Sequence, residues 1–305
     1  MRQYYPSDGV GMMCELFGVT RQAFYKQNKR KEELTMIHAV VIKMVEIIRV
    51  RQPRLGTPKL YLMIKNDLEK HQIKMGRDQL HELLLEYGMV IRKKKRRAIT
   101  TNSYHRFRRY PNLIKGLCIN RPEMIWVSDI TYIRVGTGFS YLSLITDAYS
   151  HKIVGYWLDE TLSAQGTIIA LRMAIGQRKY VGSLIHHSDR GIQYCCDEYV
   201  FILQEDSVLI SMTENGDPYE NPVAERVNGI LKDELGLDKV FKVHETAKTH
   251  IDRAILIYNQ ERLHASCDYL TPAKAHVTTG ELKKHWKNYY KQKSILQPNE
   301  GFLEE

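Results

Sequence analysis

The spacing of apolar residues changes character once along the chain. Up to about residue 90, apolar positions recur every three or four residues, the rhythm of helices that bury one face. In residues 11–26, GMMCELFGVTRQAFYK predicts a helix, a turn at Gly18 and a second helix capped by Thr20, the outline of a helix-turn-helix. Residues 33–51 predict a long amphipathic helix with Leu34, Ile37, Val41, Met44 and Ile48 inward, ended by Pro53. Thr57 as cap and Pro58 in the first turn open another helix, and residues 75–87 predict its partner, with Leu80, Leu83 and Leu84 inward and Gly88 as the stop. From Glu123 the period shortens to two. Residues 126–135, 139–147 and 152–158 read as three strands joined by tight turns. A helix over 164–177, a short strand ending near His186, a helix over 197–204, a strand over 208–211 and a helix opened by Asn221 and Pro222 complete the pattern. Three antiparallel strands followed by alternating helices and strands predict an α/β fold: a mixed five-stranded sheet flanked by helices, preceded by all-α helix-turn-helix modules. The expected divisions are a first helix-turn-helix with its long helix (1–52), a second helix-turn-helix (53–91), a basic linker (92–120), the α/β core (121–280) and a tail (281–305).

Charge divides along the same line. Residues 1–120 carry 25 Lys+Arg against 10 Asp+Glu, and residues 121–305 carry 20 against 25. A basic front joined to a mildly acidic back predicts that the first grips a polyanion and the second supplies acids. Arg21, Gln22 and Lys26 on the first module, and Lys59, Arg77 and Gln79 on the second, are the candidate DNA contacts. The run Arg92, Lys93, Lys94, Lys95, Arg96, Arg97 cannot pack into a core. With Arg106, Arg108 and Arg109 interleaved with Tyr104, Phe107 and Tyr110, it reads as a linker that tracks along DNA. No run of 18 apolar residues and no leader pattern is present, so the expectation is a cytoplasmic protein with no membrane partner. The five cysteines form no CxxC pair, which argues against a disulfide framework or a zinc ribbon.

The chemistry concentrates in three acids. Asp189 ends the strand of SLIHHSDRG, Glu225 lies in the first turn of the helix NPVAERVNGILKDEL, and Asp129 sits on the strand WVSDITYIRV. An isolated strand aspartate is ordinarily a surface residue, and Asp147 is a rival that also ends a strand. Three carboxylates drawn together from separate elements, however, repel one another unless a cation lies between them. Hard oxygen ligands of this kind suit Mg²⁺, with Mn²⁺ as a substitute, and two such ions serve phosphodiester chemistry. His186 and His187 have no partner at zinc-ligand spacing, and His187 reads as a group beside Asp189 that supports that acid from behind or contacts a phosphate.

Asp129, Asp189 and Glu225, the 35 residues between the last two, and Lys232 seven positions beyond Glu225 resemble the DDE signature of retroviral integrases and bacterial transposases. The phrases WVSDITY, HHSDRGIQY, SMTENGDPYENPVAERVNGILKDEL and YNQERLHASCDYLTP look like the second-frame transposase of the two-frame, copy-out and paste-in bacterial insertion sequences. The resemblance implies an RNase H-like core, with Asp129 on the central strand and Asp189 ending its neighbour. It also implies two Mg²⁺ held by the three acids, and Lys232 on the terminal DNA phosphate. Asn228, Arg190, Arg262 and His264 stand at matching positions and are expected to serve DNA binding. Implied partners are terminal inverted repeats, target DNA and further copies of the chain, as a homodimer or larger, in a nucleoid-associated bacterial protein. The amino-terminal zinc module of retroviral integrases is missing, and Val227 stands where the family often has an aromatic residue. The expected function is metal-dependent cleavage and strand transfer of insertion-sequence ends. The rival is a sequence-specific DNA-binding regulator with an inactive core, and a nuclease that cannot join strands is a third reading.

Overall fold

A computed structural model describes residues 9–91, 107–214 and 221–285 of the chain. The chain forms two compact units, residues 1–93 and 94–305. Among the described residues, no helix is long and apolar enough to cross a membrane, and all five cysteines are free.

The first unit is helical. Helix α1 (Val10–Leu16) and helix α2 (Arg21–Arg51) are joined at Thr20, whose hydroxyl accepts the Ala23 N–H at 3.1 Å, the cap that the sequence predicts. The sequence predicts a break between residues 26 and 33, but α2 runs on through it. Residues 27–32 (QNKRKE) contain no glycine or proline, and Lys, Arg, Gln and Glu propagate a helix that solvent covers on all sides. Helices α3 (Thr57–Lys70) and α4 (Arg77–Glu86) pack on α2 through Leu60, Ile64, Leu68, Leu80 and Leu84 against Val41 and Val45. Gly56 is the N-cap of α3 and Thr57 its first residue, a shift of one from the expected start.

In the second unit, strands β1 (Ile125–Val135), β2 (Gly138–Asp147) and β3 (Ile153–Asp159) form an antiparallel meander. The β1–β2 turn passes through Gly136 at φ +56°, a left-handed position suited to glycine. Helix α5 (Ala164–Gly176) crosses to β4 (Ile185–Ser188), and helices α6 (Ile192–Cys195) and α7 (Asp197–Glu205) lead to β5 (Leu209–Met212). Both late strands join parallel to β1, giving the order β3-β2-β1-β4-β5 and the mixed five-stranded sheet read from the sequence. One face carries α5 and α7 over a core built on Trp126, Leu171, Tyr199 and Leu203. The other carries α8 (Pro222–Asp233) and α9 (His244–Gln260), with Val227, Ile230, Ile251 and Tyr258 packed on Ile133 and Leu144. Gly155 of β3 lets α5 lie directly on the sheet, since a Cβ there would come 2.1 Å from the Ala170 carbonyl oxygen.

The expected linker is only partly a linker. Residues 92–106 lie outside the described residues, but Phe107 and Tyr110 pack against the sheet's helical core. The Leu113 N–H donates to Ser211 Oγ at 2.9 Å. Phe107 and Tyr110, two of the three aromatics interleaved with the linker's arginines, are thus committed to the second unit, and Tyr104 lies outside the described residues. The expected tail is likewise tied in as far as His285, where helix α10 (Pro272–Ala275) is followed by Gly280 N–H to Asn120 O at 2.8 Å and His285 N–H to Ala265 O at 2.8 Å.

Candidate active site

The sheet register brings the first two acids together. In the parallel pair, Ile125 lies beside Ile185, Trp126 beside His186 and Val127 beside His187. Asp129 lies two residues further along β1 and Asp189 just past the end of β4, so the register brings them near enough for the Asp189 charge to act on Asp129, although 59 residues lie between them in sequence. Asp129 has the parity of Ile125 and Val127, which pack on Ala224 and Val223 of α8, so it faces that helix. β4 stops at Ser188, and Asp189 Oδ1 accepts the Gly191 N–H at 3.0 Å, turning the chain at the strand's end.

Helix α8 meets this pair through two asparagines. Asn221, its N-cap, makes no side-chain cap bond; its Nδ2 instead donates to the Ser128 carbonyl at 3.0 Å. Asn228 donates from Nδ2 to Asp129 Oδ2 at 2.6 Å. Burial pushes the Asp129 carboxyl up to about 7, and the neighbouring charge of Asp189 adds to the rise. Hydrogen bonds from the Ile130 N–H and from Asn228 oppose it, and Glu225 contributes a smaller upward push. Glu225 itself is exposed on the first turn of α8, and residues 215–220, shortly before that helix, lie outside the described residues. Lys232 is half-buried in the last turn of α8. Among the described residues, no three His, Cys, Asp or Glu side chains close into a set that holds an ion unaided. The acids form a coupled pair with a third carboxylate on the facing helix.

Four residues expected at DNA are buried, the first of them Asn228, whose amide is committed to Asp129. His187 is fully buried and bonds Ser211 Oγ through Nδ1 at 2.9 Å, holding β4 to β5. Arg262 is 1% exposed and grips Glu234 at the end of α8 with two bonds of 2.8 Å. His264 stacks on His151 with ring centroids 5.2 Å apart and meets the edge of Tyr258. The phrase YNQERLH is therefore a packing device: Tyr258 OH donates to His151 O, and Asn259 bonds both the N–H and C=O of Ile153 at 3.0 Å. Charge and polarity alone do not reveal burial, and nothing in the phrase distinguishes a phosphate contact from a buried tie.

Other expected contacts lie where solvent reaches them. Arg21, Gln22 and Lys26 are exposed on α2, and Arg77 and Gln79 on α4, while Lys59 and Arg190 are half-buried. Arg77 pairs with Asp78 at 2.8 Å, and Gln79 Oε1 accepts the Gly76 N–H at 2.8 Å, so Gln79 caps its own helix. Arg108 lies over the Tyr110 ring at 5.2 Å, and Arg109 is exposed beside it. The basic run 92–97 and Arg106 lie outside the described residues.

Two integrase core domain families match the second unit, over residues 119–218 and 206–272. An insertion element IS600 uncharacterized 31 kDa protein of Shigella sonnei is 33% identical over 270 residues, covering 86% of this chain and 96% of that one. The transposase for insertion sequence element IS629 of Shigella sonnei is 30% identical over 283 residues, 90% of this chain and 93% of its own. Among solved structures, the HTLV-2 integrase catalytic core domain in complex with magnesium is 20% identical over 51% of this chain and 97% of that one, with a TM-score of 0.42. Shared sequence over nearly the full length of two insertion-element proteins, together with an integrase core on the unit that carries the paired acids, places the chain in the family of insertion-sequence transposases.

Proposed function

We propose that the chain is a DDE-type polynucleotidyl transferase that cuts and joins insertion-sequence ends, with Asp129, Asp189 and Glu225 as the catalytic, metal-binding acids. The observation that carries this reading is the pairing of Asp129 and Asp189 at neighbouring strands, one of them held at a carboxyl pKa of about 7 by burial and by the other's charge. An acid in that condition fits a divalent cation, whose charge relieves both causes at once. Oxygen donors favour Mg²⁺, with Mn²⁺ able to replace it, and Glu225 on the facing helix supplies the third donor for a two-ion site. When bound, such ions lower the pKa of an attacking water or 3′-hydroxyl and support the departing oxygen.

The protein's own part is orientation. Asn228 fixes the rotamer of Asp129, leaving its second oxygen for a ligand. The Gly191 N–H fixes Asp189 in the same way. Lys232, seven residues beyond Glu225 on α8, lies two turns along the helix and serves the phosphate of the bound end. The basic first unit, with Arg21, Gln22, Lys26, Lys59, Arg77 and Gln79, supplies recognition of the terminal inverted repeats, and copies of the chain assemble on paired ends. Replacing Asp189 with Asn is expected to abolish both nicking and strand transfer on labelled repeat ends while leaving end binding within about twofold. Retained joining by that variant overturns the assignment.

A further inference from the structure

Helix α2 is apolar on two opposite sides, and only one of them is covered. Val41, Ile42 and Val45 are buried, and Ile37, Met44 and Ile48 flank them in the core shared with α3 and α4. Diametrically opposite, Met36 is 71% exposed, Val40 43%, Ile47 63% and Val50 74%. With Lys43 between them these residues follow intervals of four, three, four and three. That is a repeat of 3.5 residues, the spacing of a seam between two helices rather than of a face laid on a sheet. A helix of this kind that had no partner would present polar residues on its outer side.

We propose that this stripe is where a second copy of the chain docks, α2 against α2, related by a two-fold axis. The charges select both the occupant and its direction. Lys43 Nζ lies 3.3 Å from Glu46 Oε2 on the same exposed side. In an antiparallel crossing centred at the level of Val45, Val40 meets Val50 and Lys43 meets Ile47 of the other copy, where its ammonium reaches the neighbouring Glu46 at the edge of the seam. A parallel pairing in register stacks lysine on lysine. Nucleic acid is a poor occupant, since the stripe offers one cation, and that cation is paired with an acid. The usual cost of a short coiled coil is ordering its helices, and here α3 and α4 already hold α2 folded. An isologous contact of this kind closes as a dimer. With only two heptads buried it belongs at the weak, concentration-dependent end of specific interfaces. The inference is independent of the acids and survives or fails without them.

Sedimentation equilibrium of the full chain without DNA tests it. The wild type is expected to dimerise with rising concentration, and Ile47→Glu to weaken the dimer roughly tenfold or more by placing a carboxylate in an apolar seam. Lys43→Leu is expected to tighten it, a gain that misfolding does not produce. Lys43→Glu and Glu46→Lys are each expected to weaken association a few-fold, and the double reversal to recover it. All of these side chains lie on the solvent side of α2, so thermal unfolding at concentrations where the chain is monomeric is expected to be unchanged. A dimer indifferent to Ile47→Glu, a Lys43→Leu variant no tighter than wild type, or a double reversal weaker than both single changes overturns the proposal.

Discussion

The Asp129 carboxyl makes a sharp claim about stability as well as catalysis. Burial and the Asp189 charge hold its pKa at about 7 against an ordinary 3.8. An acid raised in this way keeps its proton in the folded state after the unfolded chain has lost it. Its contribution to stability is therefore complete below about pH 4 and is lost as pH climbs from there through about 7. At about 1.4 kcal/mol per pH unit, the gap sets a ceiling of about 4 kcal/mol on the cost above pH 7. Asparagine at 129 carries no charge and its side-chain oxygen still accepts from Asn228, so the expected gain in metal-free buffer at pH 8 is about 2–3 kcal/mol, part of the ceiling being discounted for solvent that reaches the half-buried side chain. For a unit of this size that is about 5–10 °C in the melting temperature. The assay is thermal unfolding of wild type and Asp129→Asn in EDTA from pH 4 to pH 8.5, followed at the transition of the second unit. The variant's advantage should be near zero at pH 4, grow through pH 5–7 and level off above. Adding Mg²⁺ should then raise the wild type alone, by about 1.4 kcal/mol at tenfold above its dissociation constant. An Asp129→Asn chain no more stable than wild type at pH 8, or equally advantaged at pH 4, refutes the reasoning.

Three further outcomes follow from the packing. Arg262→Ala strands the Glu234 carboxylate beside a buried gap and is expected to cost about 3–5 kcal/mol in urea unfolding, with Arg262→Met/Glu234→Leu recovering most of it; a loss under about 1 kcal/mol counts against the pair. Gly155→Ala places a methyl group 2.1 Å from the Ala170 carbonyl oxygen and 3.0 Å from Ala174 Cβ. It is expected to force α5 off the sheet and lower stability by about 2 kcal/mol or more, as overpacking does, and a neutral melting curve refutes the close approach. His276 is buried, which opposes its protonation, yet its hydrogen bonds to Asp147 and Glu123 raise its pKa above 6.5. Its imidazolium thus stabilises the fold fully below about pH 6.5, and the effect fades as pH climbs through the raised value. Urea midpoints at pH 6 and pH 8.5 should fall further for wild type than for His276→Gln, and equal falls count against the reading.

What the sequence discloses and what it hides follows from the range of each interaction. Alternation over residues 126–135 and the turn at Gly136 are local, and β1 and β2 lie where the pattern places them. The paired acids are legible because strand ends and helix starts leave short-range marks: a turn after Asp189 and a proline before Glu225. Illegible were the ties that cross more than 90 residues, Asn221 to Ser128 and Asn228 to Asp129, since an asparagine signals a cap equally well. The same blindness misplaced His187, Arg262 and His264. A cation in a basic protein reads as a phosphate contact until its burial and its carboxylate partner are known.

These hidden ties determine where Glu225 can go. Positions 221, 225, 228 and 232 recur on one side of α8, and the first and third of them bond to Ser128 and Asp129 of β1. Val227, Ile230 and Leu231 bury the adjacent side, so the helix cannot roll about its axis without breaking two hydrogen bonds and uncovering a core. At its far end Glu234 is held by Arg262, which is in turn embedded in the phrase that ties α9 to the β2–β3 turn. Glu225 sits one turn after Asn221 and one turn before Asn228, between two bonds that both point to the strand carrying Asp129. So placed, Glu225 already acts on the acid pair, adding a small upward push to the Asp129 carboxyl. The third carboxylate is thus held near the first two by a rigid frame, which suits the place proposed for it beside the acid pair.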